Sequence, residues 1–362
     1  MSDHDLAKLI GVKATKDPWV FESVSYPGRA GNQLPIAYGG CTSGTAVVAA
    51  GQTMDLSKGR YVPYSVTGYF LGPASLDYKF ECHVTPLRDT RSFITRNVVV
   101  KQQTPKGPRS CLVLTIDFIS SPFSTAEKLE AFRKKNVDPA TANTLFNYQV
   151  DSRLFIKPDT LPPAKDEVLA MLQRGEIDES VFAMHEEFLG LWYRYFEGRS
   201  PPDSVLTQKV MGFKAGGTSQ DYLPVTERRA ADWFRPRSKL PPVDGSEHII
   251  EPRTEDMLPI SSTILQAAVC VFALDGVLAF VPISMNNRLG FEAGNASSLD
   301  FAVRFHSDII DMSKWHMREV KTIASGWSRT FSEAYLFDED AKLVASTTQQ
   351  CVMRPAQADS KL

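Results

Sequence analysis

The stretch Ser262-Thr263-Ile264-Leu265-Gln266-Ala267-Ala268-Val269-Cys270-Val271-Phe272-Ala273-Leu274-Asp275-Gly276-Val277-Leu278-Ala279 decides how the chain folds. Beyond its first two residues it is apolar on every face, broken only by Gln266, Asp275 and Gly276. Such a helix is either sunk in a protein core or laid across a membrane. The wider run from Ile264 to Ile283 also holds Pro282. A carboxylate near the middle of a lipid-facing span costs about 2.5–3.5 kcal/mol. A buried helix is the better reading, and no membrane span is expected. Toward the C-terminus follow four segments rich in β-branched and aromatic residues: Leu299 to His306, Trp315 to Ile323, Trp327 to Phe337 and Leu343 to Met353. Turn residues such as Asp338-Glu339-Asp340 separate them. Residues 231–354 therefore read as one apolar helix followed by an antiparallel meander.

The same order occurs upstream, over residues 1–123. Cys41 to Met54 is small and apolar with a helical period through Ala46, Val47, Ala50 and Met54. Strand-like runs follow at Tyr64 to Leu71, Ser75 to Pro86, Arg91 to Gln102 and Cys111 to Ile119. The expected fold class is α+β, a double hotdog in which each half is a long helix wrapped by a curved antiparallel sheet. Residues 124–230 form a partly helical connection that also leads into the first strand of the second half. Helical pieces are expected at Ala126 to Lys135 and Asp166 to Arg174. His185 to Phe196 reads as an amphipathic helix whose Phe188, Trp192 and Tyr195 pack on a neighbour.

Composition sets outer limits. Hydrophobic residues make up 43% and charged residues 23% of the 362, enough for a substantial core. A formal net charge of -2 argues against a nucleic-acid partner held by charge. The five cysteines are odd in number and form no CxxC pair, and the six histidines show no HExxH spacing. Neither a disulfide framework nor a metal or other cofactor is called for. Met1 to Lys16 is polar, with no apolar core of signal-peptide length. Residues 355–362 read as a flexible tail ending in Ser360-Lys361-Leu362, the tripeptide read by the peroxisomal import receptor. Peroxisomal placement, with that receptor as a partner, is the expectation.

Three residues stand out for chemistry. Asp275 is a carboxylate in an apolar run, and it must be hydrogen-bonded or bear a desolvation penalty. A local turn beside Gly276 would satisfy it; equally, it could be a base aimed into a cleft. Ser298 precedes a strand and by itself reads as a turn serine. Gln349 lies in the last strand and by itself reads as outward-facing.

Several motifs in this order resemble the type II acyl-CoA thioesterase family of double-hotdog enzymes. In the first half they are Tyr38-Gly39-Gly40, Tyr69-Phe70-Leu71-Gly72-Pro73, and Leu87-Arg88-Asp89-Thr90-Arg91-Ser92-Phe93 with Arg96. In the second half they are Leu299-Asp300, Phe305-His306, and Val344-Ala345-Ser346-Thr347-Thr348-Gln349 running into Val352-Met353-Arg354. Together they touch about two-thirds of the chain. The resemblance implies hydrolysis of acyl-CoA to free acid and CoA. Water would be positioned by an Asp on the second helix, a Thr or Ser before the next strand and a Gln on the last strand, here Asp275, Ser298 and Gln349. Ser298 stands where Thr is more usual, Thr67 where some members carry His, and the central connection is longer than in bacterial members. A backbone N–H near Gly276 or Gly39-Gly40 would steady the oxyanion. Arg88, Arg96, Arg304 and Arg354 are candidates for the CoA phosphates. The first helix carries no Asp or Glu, so catalysis is expected in the second half alone. A thioesterase specialised for a secondary-metabolite acyl group, an enoyl-CoA hydratase and a non-catalytic acyl-CoA-binding protein are the alternatives. Association into a homo-oligomer through sheet edges is also possible.

Overall fold

The computed structural model describes residues 4–32, 34–55, 60–121, 130–131, 144–241, 243 and 247–356. Ser360-Lys361-Leu362 and most of the stretch from Ala126 to Lys135 lie outside the described residues. The strands are β1 (Val12–Ala14), β2 (Val20–Ser23), β3 (Tyr61–Phe70), β4 (Glu81–Asp89), β5 (Phe93–Thr104), β6 (Gly107–Ser120), β7 (Phe196–Arg199), β8 (Ala230–Pro236), β9 (Ile249–Ile250), β10 (Ile260–Ser261), β11 (Ala293–Phe305), β12 (His316–Gly326), β13 (Arg329–Phe337) and β14 (Leu343–Pro355). Twelve of them form one antiparallel sheet in the order β1-β2-β4-β5-β6-β3-β11-β14-β13-β12-β8-β7, and β9 pairs with β10 apart from it. Strands β2-β4-β5-β6-β3 and, from the other end, β8-β12-β13-β14-β11 have the same connectivity. The halves meet where β3 pairs with β11, Thr67 opposite Ala302 at the centre of the ladder.

Each half wraps one helix, Gly39–Gln52 in the first and Ser262–Leu274 in the second. Both are apolar on nearly every face, because each lies between the sheet and the other helix. The two run antiparallel in close contact. A methyl group at Gly40 would stand 2.4 Å from the Phe272 carbonyl oxygen, and one at Gly44 3.3 Å from that of Ala268. Glycine at 40 is therefore what lets the two backbones approach. Val47, Val48, Leu265, Val269 and Phe272 on these helices are fully or almost fully buried. Each such side chain contributes about 1.5–3 kcal/mol by leaving water.

Two expectations are corrected. The second helix ends at Leu274, five residues short of Ala279. Gly276 follows and Val277 takes φ +68°, a left-handed conformation costly for a β-branched residue. A separate short helix, Val281–Met285, then starts with Pro282 in its first turn. Among the described residues no helix is long and apolar enough to cross a membrane. The stretch His185 to Phe196 is likewise broken, into helices Glu179–Phe188 and Gly190–Tyr195 with Leu189 between them, before β7 begins at Phe196.

The aromatics of that stretch pack as its amphipathic pattern implies. Phe188 meets Phe213 and Phe280 edge-on, and Trp192 stacks on Phe196 at 4.3 Å between ring centroids. Leu154, Phe155 and Leu161 cover Trp233, Trp315 and Phe337. The central connection thus serves as apolar cover for the second half and adds β7 to its edge.

Candidate active site

Because the two helices are antiparallel, the C-terminus of the second abuts the N-terminus of the first. Asp275 is the residue at that junction, the C-cap of the second helix. Its Oδ1 accepts a hydrogen bond from Gln349 Nε2 at 2.9 Å. The backbone N–H of Gly40, in the first turn of the first helix, also donates to its carboxylate. The first-turn N–H groups of a helix lack intrahelical partners and carry the positive end of its dipole. Tyr38, the N-cap there, makes no side-chain cap bond, so a carboxylate from the other half fills that role. A Cβ at Gly39 would lie 2.7 Å from Asp275 Oδ2 and 2.9 Å from the Phe70 ring, so only glycine fits beside that oxygen. Ser43, Val271, Leu274, Phe301, Val303 and Thr347 complete a narrow cleft around Asp275 and Gln349.

Burial pushes the Asp275 carboxyl up to about 6, against the opposing pull of Gln349, the Gly40 N–H and the Arg318 guanidinium. The group is ionised at neutral pH and is more basic than an exposed aspartate.

Strand register explains why Gln349 faces inward. It lies opposite Phe301 of β11, and both are buried. Side chains alternate along a strand, so Cys351, two residues on, shares that face. Its Sγ donates to Gln349 Oε1 at 3.6 Å. Burial pushes the Cys351 thiol up to about 12, which keeps it a donor. Ser298 is half-buried opposite Cys351, just before a bulge at 299, and its hydroxyl contacts that thiol. Asp275 and Gln349 are therefore in direct contact, while Ser298 reaches them through Cys351. Sequence reasoning missed Cys351, although its spacing of two from Gln349 was a usable signal. It also missed Tyr38, whose hydroxyl donates to the Phe272 carbonyl at 2.7 Å.

The remaining expectations fare unevenly. The Gly276 N–H is spent on the Ala273 carbonyl, and at the Gly39-Gly40 end the Gly40 N–H is already given to Asp275. Arg96 is 2% exposed and bonded to Thr53 and to both oxygens of Asp89, so it holds the end of the first helix and is not a surface phosphate ligand. Arg88 is paired with Asp117 at 3.2 Å. Arg304 and Arg354 are exposed. The first half, read as carrying no base, supplies Ser43 to the cleft and Tyr38, Gly39 and Gly40 to the surroundings of Asp275.

At the other end of the helix pair a carboxylate likewise meets a helix N-terminus. Glu247 accepts from Ser261, Ser262 and Thr263 hydroxyls and from the Thr263 N–H at 2.7–3.0 Å, capping the second helix. A larger cleft there is lined by Arg60, Gln266 and Asp308 among others. Carried across the β3–β11 pairing, the position of Gln349 opposite Phe301 falls on Ile116 opposite Val66. An apolar isoleucine replaces the amide.

The two-half architecture that carries this carboxylate and amide agrees with what known families show. The acyl-CoA thioesterase N-terminal domain family matches residues 26–119, and the acyl-CoA thioesterase C-terminal domain family matches residues 192–353. The chain belongs to the acyl-CoA thioesterase family. It is a thioester hydrolase by that membership. No curated protein matches the sequence. Among solved structures it is similar to the tesB protein of Mycobacterium avium subs paratuberculosis, with TM-score 0.60, 16% identity, and 97% of this chain and 100% of that one covered. Acyl-CoA thioesterase II TesB2 from Mycobacterium marinum gives TM-score 0.58 at 17% identity, covering 97% and 98%. A conserved hot dog fold protein from Alicyclobacillus acidocaldarius gives 0.57 at 14%, covering 96% and 97%. At these identities the structural likeness speaks for the double hotdog fold alone.

Proposed function

We propose that the chain hydrolyses acyl-CoA thioesters by direct attack of a water molecule that Asp275 deprotonates, with Gln349 and Ser298 as its positioning partners. The observation that carries this reading is the contact between Asp275 and Gln349 at the N-terminus of the first helix. A general base works best when its pKa lies near the working pH, and a carboxylate pushed up to about 6 meets that condition. Water held at Oδ2 of Asp275 loses its proton as its oxygen bonds the thioester carbonyl carbon. Charge developing on the carbonyl oxygen is met by the positive end of the first helix, where Gly39 leaves room for approach. Collapse then breaks the carbon–sulfur bond. CoA leaves as thiol once the sulfur receives a proton, which Asp275 now carries. No covalent acyl-enzyme is needed.

Purified protein mixed with acyl-CoAs of graded chain length should release free thiol. Asp275→Asn should keep the fold and lose most of that release. Full activity in this variant would remove Asp275 from the role of base.

For location, Ser360-Lys361-Leu362 supports a peroxisomal address and an import receptor as partner wherever Leu362 carries the terminal carboxylate. Fatty acyl-CoA is then the natural substrate class. A fluorescent fusion lacking Leu362 should stay in the cytosol; entry into peroxisomes would refute the address.

A further inference from the structure

Asp275 sits on a backbone turn that its own short-range bonds, Gly276 N–H to Ala273 and Leu278 N–H to Gly276, only partly hold. It follows the last helical residue and precedes Gly276 and the left-handed Val277. Such a turn persists only where the surroundings over-determine it. What surrounds it is Arg318 of β12, a fully buried arginine at 1% exposure. Its Nη1 donates to the carbonyls of Ala273 at 2.7 Å and Gly276 at 3.1 Å, one on each side of Asp275. Its Nε and Nη2 donate to the two oxygens of Asp232 on β8, at 3.0 and 2.8 Å. The guanidinium lies over the rings of Trp192 and Phe234, 5.1 and 5.5 Å from their centroids. A Cβ at Gly276 would be 2.7 Å from Nη1, so the turn is packed directly against the cation.

A simple structural pair would not need this placement. A buried arginine already matched by Asp232 gains little stability over an apolar pair of the same volume. Here its third donor is aimed at the turn that bears the base, and its charge lies close enough to act on that base.

We propose that Arg318, anchored by Asp232, is the positioning residue for Asp275: it holds the turn at residues 273–276 and sets the pH at which the base ionises. The proposal rests on the catalytic reading of Asp275 for its consequence in turnover, while the hold on the turn stands on the bonds from Arg318 to the Ala273 and Gly276 carbonyls. The groups facing Asp275 from the packed elements are Tyr38 and Cys41 at the first helix, Gln349 and Cys351 on β14, Arg318 on β12 and, beyond it, Asp232 on β8. Asp300 of β11 acts on Cys351 from the other side. Burial pushes Tyr38 well above its ordinary value and Cys41 and Cys351 up to about 12, which keeps all three neutral. The cation among these groups is therefore Arg318, and removing it destabilises the ionised carboxylate.

The test uses the full chain with carbon-13 label in the aspartate carboxyls, so that Asp275 titration is read by NMR without reference to activity. The pH profile of thiol release from the best-hydrolysed acyl-CoA is measured alongside. Arg318→Met should raise the pH at which Asp275 titrates. It should also lower kcat about a hundredfold through misplacement of the base, with KM little changed. Asp232→Asn keeps the guanidinium and removes its counter-charge, so it should move the titration the opposite way, to lower pH. Opposite shifts in the two variants are what a purely structural pair would not produce. Where Arg318→Met fails to fold, the downward shift in Asp232→Asn decides the matter. Identical Asp275 titration in wild type and variants would overturn the proposal. Shifted titration in a protein that releases no thiol from any acyl-CoA would uphold the coupling and refute the catalytic reading.

Discussion

Replacing Asp275 by Asn should cripple turnover and at the same time stabilise the fold above pH 6. The reason is that the carboxyl is held where ionisation is unfavourable. In the unfolded chain an aspartate ionises near its ordinary value of 3.8, whereas burial in the cleft pushes Asp275 up to about 6. A raised carboxyl binds its proton more tightly in the folded state. The stability this confers is fully present below pH 3.8 and is lost as pH rises through about 6. The gap of about two pH units corresponds to about 3 kcal/mol at 1.36 kcal/mol each. Asn does not titrate, so the variant escapes this loss. The difference in unfolding free energy, variant minus wild type, should therefore grow by up to ~3 kcal/mol between pH 4 and pH 8. Its value at pH 4 reports only the exchange of a protonated carboxyl for an amide beside Gln349 and Gly40. Urea unfolding of both proteins across that range measures it, while thiol release at pH 8 should fall about 10²–10⁴-fold in the variant. A stability difference that stays flat from pH 4 to pH 8 would refute the claim that Asp275 carries a raised pKa. Turnover equal to wild type would refute its role as base.

Turnover itself should rise with pH through about 6 and level off above it, because the ionised form of Asp275 is the base; a profile flat from pH 5 to 8 would contradict this. Gln349→Ala removes the largest interaction favouring the ionised carboxylate, so the rise should move to higher pH and the plateau should fall at least about tenfold. Gly39→Ala puts a methyl group 2.7 Å from Asp275 Oδ2, so it should block water at that oxygen and abolish most turnover, with the folded state visible by circular dichroism. Arg96→Ala leaves the end of the first helix without its buried donor, so it should cost about 1–3 kcal/mol by urea unfolding and leave KM for acyl-CoA near wild type.

The parts legible in the sequence are those governed by local pattern. Period-2 runs placed the strands of both meanders, and the all-apolar helix announced its burial through Leu265, Val269 and Phe272. Asp275 was conspicuous because an ionisable group in such a run demands a reason. Gln349 was not, because a glutamine in a strand faces inward or outward according to register, and register follows from the pairing with β11 and β13. Arg96 was misread for a related reason. An arginine's exposure depends on whether Asp89 and Thr53 come to meet it, and Thr53 is 43 residues away. The end of the second helix was overrun because apolar residues continue past Leu274; the stop comes from Arg318, Tyr38 and the left-handed Val277.

The sequence by itself determined that there are two similar halves, each a buried helix followed by four strands, and that the second carries a lone carboxylate within its apolar run. Hydrophobic period and turn chemistry act over a few residues, and they suffice for that. Tertiary structure alone decided what Asp275 does. Antiparallel packing of the two helices, permitted by Gly40 against Phe272, brings the first helix's N-terminus to a carboxylate 235 positions further along the chain. The same closure delivers Gln349 and Arg318 from separate strands, and burial among these groups raises the carboxyl to about 6. None of these contacts is local, so no local pattern could encode them; they exist because two apolar helices and one continuous sheet have a single way to exclude water together.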